Sequence, residues 1–196
     1  MKKVLPVVII TAFLLQGCAA GVVAVGAGIA ADTARDNRTI GTQIDDKTLD
    51  IRITQTLGDH KKLWNESNLS IIVQEGQALI VGQTPTPEQR NEIVNIAKHV
   101  SGVKKVFNEI RLAEPSSLST RARDSWITTK IKAQIYTNKK ILPGKIQVIT
   151  ENSEVFLIGV VTKSEADTAI DIARHTSGVS RVIKFFKIIS KTPSSL

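Results

Sequence analysis

Little in this chain of 196 residues is equipped for covalent or redox chemistry. It has one Cys, which excludes a disulfide framework and any multi-cysteine zinc or iron–sulfur site. His60, His99 and His175 are the only histidines. No G-x-S-x-G, H-E-x-x-H or Walker loop accompanies them. Acidic residues are scattered without a paired-carboxylate motif. The residues therefore predict no enzyme, no metal and no cofactor. Aromatics make up only 4% of the chain, so the core must be built from Ile, Val and Leu. The rest of the composition, 42% hydrophobic and 22% charged, excludes a wholly disordered, collagenous or polytopic membrane protein.

Charge is present but unevenly spread. Residues 45–113 carry 9 Lys/Arg and 9 Asp/Glu and are neutral, whereas residues 118–196 carry 13 against 6, a net of +7. A basic half beside a neutral half points to an anionic partner for the second half only.

The first 18 residues read as an address. Lys2 and Lys3 precede the apolar run Val4–Leu15, too short to span a bilayer and of the right length for a secretory signal. Leu15-Gln16-Gly17-Cys18 resembles a bacterial lipobox, with the sole Cys where the lipid is attached. Residues 1–17 would be removed, leaving two or three acyl chains on Cys18. Each buried methylene contributes ~0.8 kcal/mol, so several chains hold a protein to a membrane stably. Ala19, rather than the Asp that signals inner-membrane retention in lipoproteins, implies the inner leaflet of the outer membrane, with the chain facing the periplasm. Gly26-Ala27-Gly28-Ile29-Ala30-Ala31 nominally matches a dinucleotide loop. No strand precedes it, so residues 18–44 read as a Gly/Ala-rich tether.

Beyond the tether the chain repeats itself. Residues 70–82 align with 147–159, each reading as a hairpin around Glu75-Gly76 or Asn152-Ser153. Residues 92–103 align with 168–179, each an amphipathic helix followed by a strand. Gly102 and Gly178 stand where a helix end calls for positive φ. Upstream, Leu49, Ile53, Leu57 and Ile127, Ile131, Ile135 mark the buried stripes of two further helices. Leu63-Trp64 is placed in a loop, with Trp64 as a local anchor. The expectation is an α+β chain of two tandem αββαβ modules, at 45–113 and 119–191. Each has two helices on a three-stranded sheet, with a 114–118 linker and a 192–196 tail. His99 and His175 share one repeat position in a last helical turn, which suits a helix-dipole role.

The αββαβ order, the hydrophobic-x-Gly closing each hairpin (Val81-Gly82, Ile158-Gly159) and Ala-x-x-x-x-Gly-Val into each last strand resemble the BON domain. Two copies behind a lipobox, with Gly41-Thr-Gln-Ile-Asp-Asp46, Phe107-Asn-Glu-Ile-Arg111, Trp126-Ile-Thr-Thr-Lys130 and Glu154-Val-Phe-Leu-Ile-Gly159, resemble the dual-BON outer-membrane lipoproteins. The resemblance implies a non-enzymatic envelope protein that binds anionic phospholipid, phosphatidylglycerol or cardiolipin-like. It also implies support of envelope integrity, often near division sites.

The first helix of the second module carries the candidate lipid-binding residues. At 100° per residue, Trp126, Lys130 and Ala133 cluster away from the Ile127–Ile131–Ile135 stripe, and Arg123 and Thr129 extend that face. Arg121 and Lys132 add charge. Thr48 stands at the Trp126 position of the first module, so the fold needs no aromatic there. An indole bracketed by cations suits a bilayer interface. The alternative is that Trp126 packs on the first module or the linker, with the lysines a solvated face. Lys139, Lys140 and Lys145 are a reserve basic cluster. A protein–protein adaptor docking through the neutral module is the other function class; nucleic acid is not an expected partner of a secreted, tethered chain.

The address generates the first prediction. Cys18→Ser should release the protein from the membrane fraction or leave an unprocessed precursor. Mass spectrometry of the wild-type mature chain should find Cys18 acylated, and an unmodified Cys18 would remove the anchor.

Overall fold

The computed structural model describes residues 39–190. Cys18, the signal, nearly all of the tether and the 192–196 tail lie outside the described residues. The first module comprises α1 (Ile40–Asp59), α2 (Lys61–Asn65), β1 (Asn68–Gln74), β2 (Gln77–Thr84), α3 (Pro87–His99) and β3 (Lys105–Leu112). The second comprises α4 (Leu118–Thr137), β4 (Ile146–Glu151), β5 (Glu154–Thr162), α5 (Lys163–Arg174) and β6 (Arg181–Ile189). Two αββαβ modules are present as the sequence indicates. α1 begins at Ile40, however, so the last residues of the expected tether are helical.

Helix starts follow local chemistry. The hydroxyls of Thr39, Thr86, Ser117 and Thr162 each accept a backbone N–H of the following turn, and Pro87 occupies the first turn of α3. Thr162 and Glu165 form a reciprocal capping box. Two details differ from expectation. Leu63-Trp64 lies in the short helix α2 rather than a loop, because Leu63 is buried and Trp64 packs on the same core. Gly102 and Gly178 do take φ of 101° and 93°, but in the turn past the helix rather than at its cap.

Each sheet has its second strand in the centre, antiparallel to the first and parallel to the third across the helical crossover. The hairpins turn through positive φ at both central residues, Glu75-Gly76 and Asn152-Ser153, as a tight primed turn requires. A carboxylate from the first helix of each module grips that turn. Asp46 accepts from the Glu75 and Gly76 N–H groups at 2.7 and 2.9 Å; Asp124 accepts from Asn152 and Ser153 at the same distances. Gly82 and Gly159 close the hairpins because a Cβ would meet the carbonyl oxygens of Asn68 and Lys145 at 1.9 and 2.3 Å.

Side-chain alternation gives each sheet two apolar faces. Val73, Ala78, Ile80 and Ile110 face α1 and α3, and Val148, Val155, Leu157 and Val161 face α4 and α5. The opposite faces meet each other. Ile72, Leu79 and Val81 pack on Phe156 and Ile158, and the Phe107 and Phe185 rings meet edge-on at 4.8 Å. Polar contacts frame this third core. Ser70 and Asn68 donate to Glu151, Arg111 to Glu154, and Lys187 pairs with Glu75 at 2.7 Å. The result is four layers: helices, sheet, sheet, helices. The 114–118 segment is pinned as well, since Ser116 donates to the Gln83 side chain.

Removing the turn grip leaves two backbone donors without their charged acceptor, at about 1.5–3 kcal/mol per bond. Asp124→Ala should therefore lower unfolding stability by about 3–6 kcal/mol in urea denaturation, with the exposed Ala122→Ser on the same helix nearly neutral.

Candidate membrane-contact face

α4 forms the outer layer of the second module. Asp124, Ile127, Ile131 and Ile135 are buried beneath it, which turns the opposite side of the helix to solvent. Trp126 is 55% exposed, and the Lys130 Nζ lies 4.6 Å from the centroid of its ring. This cation–π contact holds the indole outward beside a charge. Trp126 takes no part in the core between the two sheets.

Of the other candidate residues, Arg123, Lys130 and Ala133 share the outward face and are exposed. Thr129 is exposed but its hydroxyl is returned to the Ser125 carbonyl at 2.9 Å. Arg121 is partly committed, its Nε donating to the Ser116 carbonyl at 2.9 Å. Lys132 lies about 120° around the helix from Trp126, on the flank toward the module seam. Arg123, Lys130, Lys132, Lys139 and Lys140 have no ion-pair partner among the described residues. Leu118 (81% exposed), Tyr136 (48%) and Leu142 (50%) add apolar surface along α4 and the loop after it. The same helical projection places Leu118 and Tyr136 off the buried stripe; what it could not give was Leu142, which lies beyond the helix.

The reserve cluster does not form. Lys145 is only 3% exposed, and its ammonium donates to Glu165 at 2.9 Å in the interior of the module. Burial alone would raise the Glu165 carboxyl. The Thr162 N–H and hydroxyl together with the Lys145 ammonium outweigh it and hold the group below the usual carboxylate range. At the inter-module seam Glu151 is shifted the other way, raised by burial despite donors from Ser70, Gln83 and Asn68.

The matching helix of the first module is chemically different. Lys47 pairs with Asp50 at 2.7 Å, and Arg52 folds back onto the Ser101 carbonyl at 2.7 Å. Its exposed apolar residues are Ile44 and Ile51. The histidine rings sit at helix ends, with Nδ1 of His99 and His175 2.8 and 2.9 Å from the carbonyls of Asn95 and Asp171. Among the described residues no cluster of His, Cys, Asp and Glu could hold a metal, and no helix is long and apolar enough to cross a membrane.

Known proteins resemble this chain along most of its length. The BON domain matches residues 45–114 and 123–190. The outer membrane lipoprotein DolP of Haemophilus influenzae is 37% identical over 187 residues, covering 95% of this chain and 96% of its own. A 21 kDa hemolysin of Actinobacillus pleuropneumoniae is 37% identical over 154 residues, 79% of each chain. Among solved structures, the C-terminal domain of CdsD, a structural protein of the Chlamydia trachomatis type III secretion system, is 12% identical with a TM-score of 0.30, over 70% of this chain and 96% of that one.

The buried pair generates a pH prediction. A carboxyl with a lowered native pKa stabilises the fold above its unfolded value of about 4.5 and loses that contribution as pH falls through the lower native value. Glu165→Gln should lower stability at pH 7 by about 3 kcal/mol, because it strands a buried ammonium. The wild-type advantage over the variant should shrink below pH 4.5. Glu151 acts with the opposite sign, so the difference between wild type and variant isolates Glu165.

Proposed function

Because the chain belongs to the BON domain family, matched over both of its modules, we propose that it is an outer-membrane lipoprotein of the cell envelope that rests the α4 face on anionic phospholipid. The likeness to the Haemophilus lipoprotein across nearly the whole chain supports the location and the envelope role. The observation that carries the lipid reading is the exposed Trp126 with Lys130 against its ring. An indole at the headgroup level adds apolar insertion. Each cation near an anionic surface contributes roughly 1 kcal/mol, so Arg123, Lys130, Lys132, Lys139 and Lys140 together offer a few kcal/mol. The acyl chains on Cys18 would place that face within reach of the inner leaflet, facing the periplasm; a place near division sites and a part in envelope integrity belong to the same reading.

A second reading rests on the first module. Ile44 and Ile51 are 60% and 46% exposed, seven residues apart on α1, a spacing that keeps both on one helix face. An envelope protein could dock there.

Vesicle co-sedimentation of residues 32–196, which lack the lipidated Cys, decides between them. Binding should require anionic lipid and weaken with salt. Trp126→Glu should abolish it with circular dichroism unchanged; Lys130→Glu should act mainly on the salt-sensitive part, and Arg52→Glu should do much less. Unaltered vesicle affinity in a folded Trp126→Glu chain would move the lipid site off this face.

A further inference from the structure

β6 leaves one edge of the second sheet open. It pairs with β5 alone, and among the described residues its backbone makes no hydrogen bond outside that ladder. Nine residues of strand, about 30 Å at ~3.3 Å per residue, therefore present a row of donors and acceptors to solvent. A groove of about 460 Å³ lies against this edge. Four consecutive residues line it, Lys184, Phe185, Phe186 and Lys187, together with Gln74 and Phe107 of the first module. Successive strand side chains point to opposite faces, so a groove that touches all four reaches round the open edge. Ile188, 53% exposed, adds apolar surface on the same strand.

The sequence of the edge says what it would accept. Arg181, Lys184 and Lys187 recur at every third residue, with the apolar pairs Val182-Ile183 and Phe185-Phe186 between them, and the strand holds no acid. Lys187 is paired with Glu75 at 2.7 Å, and Arg181 reaches Glu154 at 3.6 Å. Lys184 is exposed and has no ion-pair partner among the described residues. Lysine on an edge strand guards it against pairing with its own kind. Two copies of β6 laid edge to edge would set three cations against three, and like charges across strands repel. An extended segment of opposite charge meets no such barrier. The corresponding edge strand of the first module, β3, lacks the pattern. Asn108 stands at the Lys184 position and Glu109 follows it. Lys105 lies over the Phe107 ring at 4.4 Å, and Arg111 is spent on Glu154.

We propose that the β6 edge takes up an extended acidic segment of a partner protein as a fourth strand of the second sheet. The segment would carry an Asp or Glu at every third residue and apolar residues between. Backbone bonds to β6 would supply affinity, while an acid opposite Lys184 and an apolar side chain in the groove would supply selection. This surface is separate from the outward faces of α4 and α1, so the proposal stands or falls independently of both.

The test uses the full chain in neutral maltoside micelles and a fluorescent heptapeptide, Asp-Val-Val-Asp-Val-Val-Asp, followed by anisotropy. The heptapeptide should bind and slow hydrogen exchange of the β6 amides. The same composition with its Asp residues adjacent, or with Lys in place of Asp, should bind at least about tenfold more weakly, the worth of one charge-assisted hydrogen bond. N-methylation of one alternate set of peptide amides should abolish binding and of the other set should leave it intact, because only every second amide of a strand faces its neighbour. Lys184→Glu should weaken binding about tenfold, and Lys61→Glu, also exposed but on α2, should not change it. An absence of binding, equal affinity for the adjacent-Asp peptide, or indifference to Lys184→Glu would overturn the proposal. Indifference to both methylated sets would too, leaving a non-specific basic surface. Protection of the β6 amides that rises with chain concentration in the absence of peptide would give the edge to a second copy. Protection by anionic vesicles alone would give it to a membrane, and either result overturns the proposal.

Discussion

Each three-stranded sheet has two apolar faces and only one set of helices, and the rest of the molecule follows from that. Ala78-Leu79-Ile80-Val81 in β2 and Val155-Phe156-Leu157-Ile158 in β5 are continuous buried runs rather than alternating ones, the pattern of a strand covered on both sides. The helices cover one side. On the other, Leu79, Val81, Phe156 and Ile158 would stand in water if the modules separated. Modules of about 70 residues bury too little surface to tolerate such a loss. Duplication is therefore a structural requirement here: each sheet supplies the cover that the other lacks.

The docking is also directional. Apolar burial alone allows two sheets to slide or rotate, whereas the ion pairs and hydrogen bonds at the rim fix one orientation. Arg111 reaches Glu154 at 2.8 Å, Lys187 reaches Glu75 at 2.7 Å, and Glu151 takes donors from Ser70 and Asn68. Exposed pairs of this kind contribute little to stability singly. Their value lies in register, because a shifted interface would leave Glu151, already raised by burial, without its donors. The two Asp-gripped turns fix each hairpin to its own helix in the same manner, so the repeat is held together twice, within modules and between them.

Much of this was legible in the sequence, for physical reasons. Ile127, Ile131 and Ile135 reveal α4 because helical spacing and burial coincide, and Glu75-Gly76 reveals a hairpin because few turns need two positive φ angles. What escaped depends on distant partners. The apolar run in β2 announces cover on both faces but not that the second cover is β5. Lys145 reads as a surface cation, since the carboxylate that buries it is 20 residues further on and belongs to a helix cap. The short helix α2 has five residues and too few turns to show a period. The outward character of Trp126 was readable from the projection; its cation–π contact with Lys130 follows from the i, i+4 spacing.

The layer order has a consequence for how the two faces can be used. α1 and α4 form opposite outer layers with both sheets between them, so one flat surface cannot meet both outward helix faces at once. Sequence divergence between the copies respects this geometry. The α4 face carries an aromatic and unpaired cations, while on α1 the equivalent positions are Thr48 and an Arg52 whose guanidinium is spent on a carbonyl. If α4 lies on the leaflet, Ile44 and Ile51 point away from it into the periplasm. The lipid-binding and adaptor readings are then not rivals for one surface, and a single anchored chain could present one pole to the membrane and the other to a protein.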